Sequence, residues 1–218
     1  MIRKNTSSRL RNRIGVLGGT FDPIHNGHLA IASSAIASGV VDRIWFLPNP
    51  LPPHKALPQD AATAAERVAM LKLAIKGFPN YEICDLELLK GTETYTYQTL
   101  PMLEERYPEL SFAFMIGADS LFQIETWKCP ELLLPGHAFL AACRDDHDNA
   151  AVQKKAEELN RKYGAEIQLL KIPPTDVSST RIRKKCRMHE SIAADVPDAV
   201  AAYIADHDLY QEGSRHGR

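Results

Sequence analysis

The chain has 218 residues, of which 44% are hydrophobic and 24% charged, and this balance is typical of a globular protein with one full core. Its formal net charge of -1 argues against a nucleic-acid surface, and no apolar run approaches the roughly 20 residues that span a bilayer. Because the chain also lacks an apolar secretory signal and paired cysteines, we expect a cytoplasmic protein with free thiols.

The first 13 residues differ in composition from the rest of the chain. They contain five basic residues and no acidic one: Arg3, Lys4, Arg9, Arg11 and Arg13. Because such a segment has little apolar surface to bury, residues 1–13 are predicted to be a disordered basic extension. An organellar transit peptide is the alternative, although no amphipathic period supports it. We expect one domain over residues 14–212, followed by a short tail over residues 213–218.

Residues 14–28 join a short apolar strand to a helix through a glycine-rich turn. The apolar run 14–17 predicts a buried parallel strand, and Gly18 and Gly19 allow a sharp turn and the close approach of a ligand. The helix that starts near residue 27 directs its positive N-terminal end toward that turn. The segment therefore predicts an anion-binding site.

Two histidines, His25 and His28, flank the start of this helix, and their ring N–H groups can donate hydrogen bonds to phosphate oxygens. On spacing alone, a surface turn with both rings in water is equally compatible with the pattern. The order of strand, Gly-Gly turn, histidines and helix N-terminus favours a polyphosphate site where charge develops on a leaving group. Transfer at phosphorus depends mainly on positioning and charge stabilisation, so no general base is required.

Apolar runs and helical patterns alternate along the rest of the chain. Strands are predicted at 43–47, 81–89, 111–116, 138–143 and 166–172, and helices near 62–76, 96–106, 150–163 and within 196–210. This series predicts an α/β fold with a doubly wound, mostly parallel sheet covered by helices on both faces. Ligands then bind at the carboxyl ends of the strands, where the first turn lies.

Several later segments contain residues suited to ligand binding, and each has a simpler structural interpretation. The proline-rich loop 48–55 ends in a histidine and a lysine, but clustered prolines usually form only a rigid connector. The hydroxyl-rich segments 92–100 and 176–183 could simply cap helices. In the same way, Trp127 could belong to the core, and Arg144 could be a solvated residue at a strand end.

Taken together, these segments resemble one family. Residues 18–28, Gly-Gly-Thr-Phe-Asp-Pro-Ile-His-Asn-Gly-His, are similar to the first signature of the His-x-Gly-His nucleotidyltransferases, specifically the bacterial nicotinate-nucleotide adenylyltransferases. Residues 176–183 resemble the second signature, Ile-Ser-Ser-Thr-x-Ile-Arg, and the likeness extends over residues 14–210. The resemblance implies a Rossmann-like fold and adenylyl transfer from ATP to nicotinate mononucleotide, giving nicotinate adenine dinucleotide (deamido-NAD) and pyrophosphate in NAD biosynthesis. It also implies Mg²⁺, bound mainly by phosphate oxygens.

The same resemblance assigns roles to individual residues. The residues implied to contact ATP are Gly18, Gly19, Thr20, Phe21, His25, His28, His54, Lys55, Gly117, Asp119, Ser178, Ser179, Thr180 and Arg183. The residues implied to contact the acceptor nucleotide are Asn49, Thr94, Tyr95, Thr96, Trp127 and Arg144. Among these, His25, His28, Lys55 and Arg183 would stabilise the leaving pyrophosphate. Backbone N–H groups near Tyr95 would receive the pyridine carboxylate, and Trp127 would stack on the ring.

The chain departs from the family pattern at two places on the acceptor side. Gln98 replaces the usual Asp, which leaves the geometry of the acceptor loop open. Asp145-Asp146 replaces the usual Pro-Gly after Arg144, and this pair could hold the guanidinium in an ion pair. The alternatives are another acceptor, phosphopantetheine or nicotinamide mononucleotide, or a nucleotide sensor without turnover. Trp127 and the Tyr95 loop argue against phosphopantetheine, both histidines argue against a sensor, and the oligomeric state is left open.

Overall fold

The computed structural model describes residues 12–50, 61–90, 94–144 and 149–211. The strands in these ranges are β1 (Arg13–Gly19), β2 (Arg43–Pro48), β3 (Tyr81–Ile83), β4 (Ser111–Gly117), β5 (Ala138–Arg144) and β6 (Glu166–Ile172). The helices are α1 (Asn26–Ala37), α2 (Ala64–Ile75), α3 (Leu86–Lys90), α4 (Thr96–Arg106), α5 (Ala118–Gln123), α6 (Pro130–Leu133), α7 (Asn149–Tyr163), α8 (Ser179–Arg187) and α9 (Asp198–Asp206), with a 3₁₀ turn at Ile124–Thr126.

The six described strands form one sheet in the order β3-β2-β1-β4-β5-β6, and every neighbouring pair is parallel. The predicted doubly wound α/β fold is confirmed. The chain first builds the sheet outward from β1 to β3 and then returns to place β4 on the other side of β1. Because the direction of growth reverses between β1 and β4, a crevice opens beyond their carboxyl ends.

Helices cover both faces of the sheet, and each face has its own apolar core. One core contains residues of α1, α2, α8 and α9, and the other contains residues of α3 to α7. Neighbouring residues of β1 point to opposite faces, so Leu17 belongs to the first core and Val16 to the second. Among the described residues, no helix is long and apolar enough to cross a membrane.

The prediction of a third strand over 81–89 was wrong in its second half. β3 ends at Ile83, and Leu86–Lys90 form the short helix α3. β3 is an edge strand that pairs only with β2, over three residues. Beyond it, Leu, Glu and Lys are all good helix formers, and the N–H of Leu89 donates to the carbonyl of Asp85 at 2.9 Å. An apolar run this short does not distinguish a strand from a helix.

The boundary of the N-terminal extension also needs correction. β1 begins at Arg13, whose backbone pairs with that of Ser111 in β4. The N–H groups of Asn12 and Arg13 donate to Oδ2 of Asp42 at 2.8 and 3.0 Å, and the guanidinium of Arg13 pairs with Glu166 at 2.9 Å. Arg13 therefore belongs to the sheet, while residues 1–11 lie outside the described part of the chain.

Candidate active site

A cleft of about 360 Å³ lies at the carboxyl ends of β1, β2 and β4. Nine of the predicted site residues line it: Gly18, Gly19, His28, Asn49, Thr94, Tyr95, Thr96, Gly117 and Trp127. These residues come from four separate parts of the sequence. The fold therefore brings the first histidine signature and the predicted acceptor segments to one place.

Gly18 and Gly19, at the end of β1, make room for aromatic rings as well as for a ligand. A Cβ at Gly18 would lie 2.9 Å from the ring of Phe114, and one at Gly19 would lie 3.2 Å from the ring of Phe21. Both distances are shorter than ordinary van der Waals contact. The two glycines therefore permit the close packing of the turn on the sheet, in addition to lining the cleft.

The turn after these glycines contains a strained residue. Phe21 has a φ of +51°, in the left-handed region that bulky side chains rarely adopt, and its side chain is only 2% exposed. Such a conformation costs on the order of 1–3 kcal/mol and persists only where its surroundings hold it. The ring packs edge-on against Phe46 and His28, with centroids 5.9 and 5.0 Å apart.

The two histidines of the first signature form a stacked pair at the start of α1. Their ring centroids are 3.7 Å apart, and the backbone N–H of His25 donates to Nδ1 of His28 at 3.2 Å. Because Nδ1 of His28 accepts this bond, the neutral ring carries its proton on Nε2. A Cβ at Gly27 would lie 3.0 Å from Nδ1 of His25 and 3.1 Å from Oγ1 of Thr175, which explains why glycine stands between the histidines.

Both imidazoles are held neutral near pH 7. Burial lowers the pKa of His25 to about 4, although the nearby carboxylate of Asp195 acts in the opposite direction. Burial also lowers the pKa of His28 well below its usual value, and the neighbouring His25 lowers it further. The pair can therefore act as neutral hydrogen-bond donors, with no net charge of their own.

Helix α8 is attached to the turn by two hydrogen bonds. Oγ of Ser179 donates to the carbonyl of Pro23 at 3.0 Å, and the guanidinium of Arg183 donates to the carbonyl of Asp22 at 2.7 Å. The other two hydroxyls of the second signature have different positions. Ser178 caps the helix by accepting from the N–H of Arg181 at 3.3 Å, and Thr180 is exposed.

Five of the predicted acceptor residues line the same cleft: Asn49, Thr94, Tyr95, Thr96 and Trp127. Tyr95 is the N-cap residue of α4, and it follows the buried Thr94. Trp127, after the 3₁₀ turn, lines the cleft and is only partly buried, so that its ring is accessible from the cleft. Asn49 follows β2, where its N–H donates to the carbonyl of Gly19 at 3.1 Å. This bond joins the acceptor side to the glycine turn.

A buried carboxylate that we did not predict anchors the start of α4. Oγ1 of Thr99 donates to Oε1 of Glu87 in α3 at 2.6 Å and to the carbonyl of Tyr95 at 3.3 Å. Glu87 is buried, lines the cleft, and has its pKa raised by burial, an effect that the Thr99 hydrogen bond opposes. A carboxylate from a neighbouring helix thus fixes this loop, which carries Gln98 in place of the usual Asp.

The remaining predicted residues are distributed as follows. Asp119 lies in the first turn of α5 next to Gly117, and it is exposed at the edge of the site. A Cβ at Gly117 would meet open space, so close packing does not explain this glycine. His54 and Lys55 lie outside the described residues, as does the pair Asp145-Asp146. Only the backbone of Arg144 is described, at the end of β5.

Sequence reasoning missed three buried polar residues beneath the turn: Asp22, Arg67 and Tyr210. Oδ1 of Asp22 accepts from the N–H of Ala62 at 3.0 Å and from the hydroxyl of Tyr210 at 2.8 Å. The guanidinium of Arg67 donates to the carbonyls of Thr20 and Pro50. One signal in the sequence pointed to Arg67. It precedes Met70 and Leu71 by three and four residues, which places it on the buried face of α2.

Comparison with known proteins places this architecture in a family. The model for cytidylyltransferase-like proteins matches residues 16–185. A probable nicotinate-nucleotide adenylyltransferase of Symbiobacterium thermophilum is 42% identical over 205 residues, covering 94% of this chain and 98% of the relative. The nicotinate-nucleotide adenylyltransferase of Bacillus subtilis is 33% identical and covers 91% of this chain and 98% of its own.

Solved structures show the same fold. A structure of Plasmodium falciparum nicotinic acid mononucleotide adenylyltransferase complexed with NaAD matches this chain with a TM-score of 0.75. The match covers 91% of this chain and 97% of that one at 23% sequence identity. A putative nicotinate-nucleotide adenylyltransferase from Vibrio parahaemolyticus matches with a TM-score of 0.63 at 20% identity, covering 92% of this chain and 96% of that one.

Proposed function

We propose that this chain, which belongs to the cytidylyltransferase-like family and within it to the nicotinate-nucleotide adenylyltransferases, transfers the adenylyl group of ATP to nicotinate mononucleotide. The products are nicotinate adenine dinucleotide and pyrophosphate. One observation carries the proposal: these relatives are 33–42% identical to the chain over nearly its full length. The stacked histidine pair of the first signature at the start of α1 is consistent with it.

In the proposed reaction, a phosphate oxygen of nicotinate mononucleotide attacks the α-phosphorus of ATP in line. The new P–O bond forms while the bond from the α-phosphorus to the bridging oxygen breaks, and pyrophosphate leaves with the electron pair. Since the protein forms no bond to phosphorus, its contribution is positioning and charge stabilisation. Arg183 lies 13% exposed beside the turn and supplies a fixed positive charge for the departing pyrophosphate.

The histidine pair contributes as neutral donors in this proposal. His28 lines the cleft with its proton on Nε2, and it offers that N–H to an oxygen of the ATP phosphates. Because the ring is held by His25 and Phe21, the donor needs little reorganisation when charge develops. We assign the phosphates to the turn from Gly18 to Phe21 and to the start of α8, where Ser178, Ser179 and Thr180 lie. His54 and Lys55, which follow β2 in the sequence, are proposed to join them.

On the acceptor side, the first turn of α4 is suited to a carboxylate. The first N–H groups of a helix have no acceptor within it, and Thr96 and Tyr97 occupy these positions. We propose that they and Tyr95 receive the pyridine carboxylate while Trp127 stacks on the ring. Asn49 and Arg144 are proposed to contact the mononucleotide, and Gly117 and Asp119 to border the adenosine.

Magnesium enters this proposal as part of the ATP substrate. Mg²⁺ takes oxygen ligands, usually keeps several waters, and binds substrate phosphates. Among the residues that the structure describes, no group of three or more His, Cys, Asp and Glu side chains is placed to hold a metal ion. We therefore propose that phosphate oxygens and water hold the ion, which neutralises phosphate charge during transfer. The cytoplasmic location inferred from the sequence stays a prediction.

The test is pyrophosphate release from ATP and Mg²⁺ with each candidate acceptor in turn. We expect rapid release with nicotinate mononucleotide, slower release with nicotinamide mononucleotide, and none with phosphopantetheine. Formation of the dinucleotide, followed by chromatography, should match the pyrophosphate released. Release with phosphopantetheine alone would identify a different transferase, and ATP binding without turnover on any acceptor would identify a sensor.

A further inference from the structure

Arg67 is a buried cation whose hydrogen bonds all go to backbone carbonyls. Its side chain is 1% exposed, and it lies in the first turns of α2, whose start is fixed by reciprocal bonds between Thr63 and Glu66. One terminal nitrogen donates to the carbonyl of Thr20, and the other donates to the carbonyl of Pro50 at 3.1 Å. Among the described residues, no carboxylate pairs with its guanidinium. Asp22 nevertheless lies near enough to stabilise the charge.

We propose that Arg67 is a positioning residue for adenylyl transfer, because it fixes the Thr20 peptide so that the N–H of Phe21 faces the ATP phosphates. This inference rests on the proposed function. In a trans peptide the C=O and the following N–H point in opposite directions. When Arg67 holds the carbonyl of Thr20, it therefore directs the N–H of Phe21 away from the buried guanidinium.

Two further observations support this role. The N–H of Phe21 has no acceptor among the described residues, although Phe21 itself is buried, and a buried N–H normally has a partner. A second guanidinium holds the carbonyl two residues further along, because Arg183 donates to that of Asp22 at 2.7 Å. The left-handed Phe21 thus lies between Thr20 and Asp22, whose carbonyls are each held by an arginine.

Arg67 also connects the turn to the chain after β2. It binds the carbonyl of Pro50, and Asp22 accepts from the N–H of Ala62 at 3.0 Å. Residues 50 and 62 are the two ends of the segment that carries His54 and Lys55. One end is therefore bonded to Arg67, which also binds Thr20 in the turn, and the other end is bonded to Asp22 of the turn itself. Arg67 thus lies between two proposed phosphate-binding segments.

The experiment compares Arg67→Lys and Arg67→Met with the wild-type enzyme. We expect Arg67→Met to lower kcat/KM for ATP by about 10- to 100-fold, as expected for the loss of a preorganised donor to the phosphates. Arg67→Lys keeps the positive charge, but one ammonium group cannot bind both carbonyls as well as the guanidinium does. Its kcat/KM for ATP should therefore lie between those of the wild type and Arg67→Met. KM for nicotinate mononucleotide should stay within about twofold, since Arg67 makes its hydrogen bonds to Thr20 and Pro50 and to none of the residues proposed to contact that nucleotide.

Two controls separate positioning from stability and from charge. Met70→Ala, on the same face of α2, should lower the melting temperature while leaving kcat/KM for ATP within about twofold. Arg43→Met removes an arginine that pairs with Glu82 at the start of β2, at the opposite end of that strand from the cleft, and it should leave the kinetics unchanged. If Arg67→Met does not fold, Arg67→Lys decides the question, provided that its circular dichroism matches the wild type.

Binding of Mg²⁺-pyrophosphate by calorimetry gives a readout that does not depend on the acceptor. Weaker binding in the Arg67 variants, with Met70→Ala and Arg43→Met unchanged, supports the proposal. Folded Arg67 variants with wild-type affinity for pyrophosphate and normal kcat/KM for ATP would overturn it. If the wild type binds pyrophosphate but does not use nicotinate mononucleotide, the proposed function fails, and the binding comparison still tests Arg67.

Discussion

The hydroxyl of Tyr210, close to the end of the chain, donates to Oδ1 of Asp22 in the first signature at 2.8 Å. Tyr210 has no exposed surface, and burial raises the pKa of its phenol, so the group remains a neutral donor. The same carboxylate oxygen accepts from the N–H of Ala62. The segment after α9 therefore packs beneath the proposed phosphate turn. Through Tyr210, the C-terminal part of the chain helps to hold Asp22 in place.

Replacing Tyr210 with Phe tests this relationship. The variant keeps the buried ring and removes one hydrogen bond to a charged group, which typically contributes about 1.5–3 kcal/mol. We expect the free energy of unfolding in urea to fall by that amount. Tyr203→Phe is the control, because the ring of Tyr203 stacks on His207 and its hydroxyl makes no described contact with the turn. Equal unfolding free energies for both variants would show that the bond to Asp22 contributes no stability.

The parts of the fold predicted from the sequence are those with strong local patterns. Apolar runs located all six strands, and His25 and His28 stood out because of their order after the Gly-Gly turn. Leu86 was placed in a strand because its run of residues is too short for a helical period to appear. Glu87 and Tyr210 gained their roles only through contacts with Thr99 and Asp22, which are distant in sequence. Contacts of this kind leave no local pattern.

His28→Ala should lower kcat by about two to three orders of magnitude, as removal of one preorganised donor to developing charge costs roughly 3–4 kcal/mol. The substitution should also destabilise the fold, because the N–H of His25 loses its acceptor. We expect the free energy of unfolding to fall by about 1–3 kcal/mol. Turnover at saturating ATP measures the first effect and urea unfolding the second. His207→Ala, on the surface after α9, is the control. A folded His28→Ala enzyme with near-normal kcat would remove His28 from the reaction.

Stability should fall as the pH drops from about 6.5 to 4. The pKa of His25 is about 4 in the folded protein, against 6.5 when the chain is unfolded, so only the unfolded state takes up this proton in that range. The stabilisation is complete above pH 6.5 and decreases by on the order of 3 kcal/mol on approaching pH 4. Urea unfolding at several pH values gives the change in the free energy of unfolding with pH. This slope should be shallower for His25→Asn than for His207→Asn. Equal slopes would mean that His25 keeps its usual pKa.

Because β1 begins at Arg13, two truncations of the N-terminus should differ in melting temperature. Removing residues 1–11 should leave the melting temperature nearly unchanged, because that segment has little apolar surface to bury. Removing residues 1–13 also deletes the bonds of Asn12 and Arg13 to Asp42 and the ion pair with Glu166. We expect the second truncation to melt several degrees lower, since a loss of about 1 kcal/mol shifts Tm by roughly 2–4 °C in a chain of this size. A large drop in the first truncation would show that the basic segment packs on the body.

The last prediction concerns the choice between acid and amide acceptors. Nicotinate mononucleotide and its amide counterpart differ only in the pyridine substituent. A carboxylate accepts hydrogen bonds at both oxygens from the N–H groups around Tyr95 at the start of α4. A carboxamide must turn its NH₂ toward one of those donors, and the unmade bond costs on the order of 1–3 kcal/mol when buried. We therefore expect kcat/KM to favour the acid by at least about tenfold.

Two variants show whether the preference for the acid comes from the loop around Tyr95 or from the ring of Trp127. Trp127→Ala should raise KM for both acceptors and preserve their ratio, because stacking on the ring does not distinguish the substituents. Thr99→Val should reduce the ratio, because it frees Glu87 and releases the bond to the carbonyl of Tyr95. The measurement is kcat/KM for both mononucleotides at fixed ATP and Mg²⁺. Equal values in the wild-type enzyme would overturn the acid-selective loop while leaving adenylyl transfer in place, and an altered ratio in Trp127→Ala would assign part of the selection to the ring.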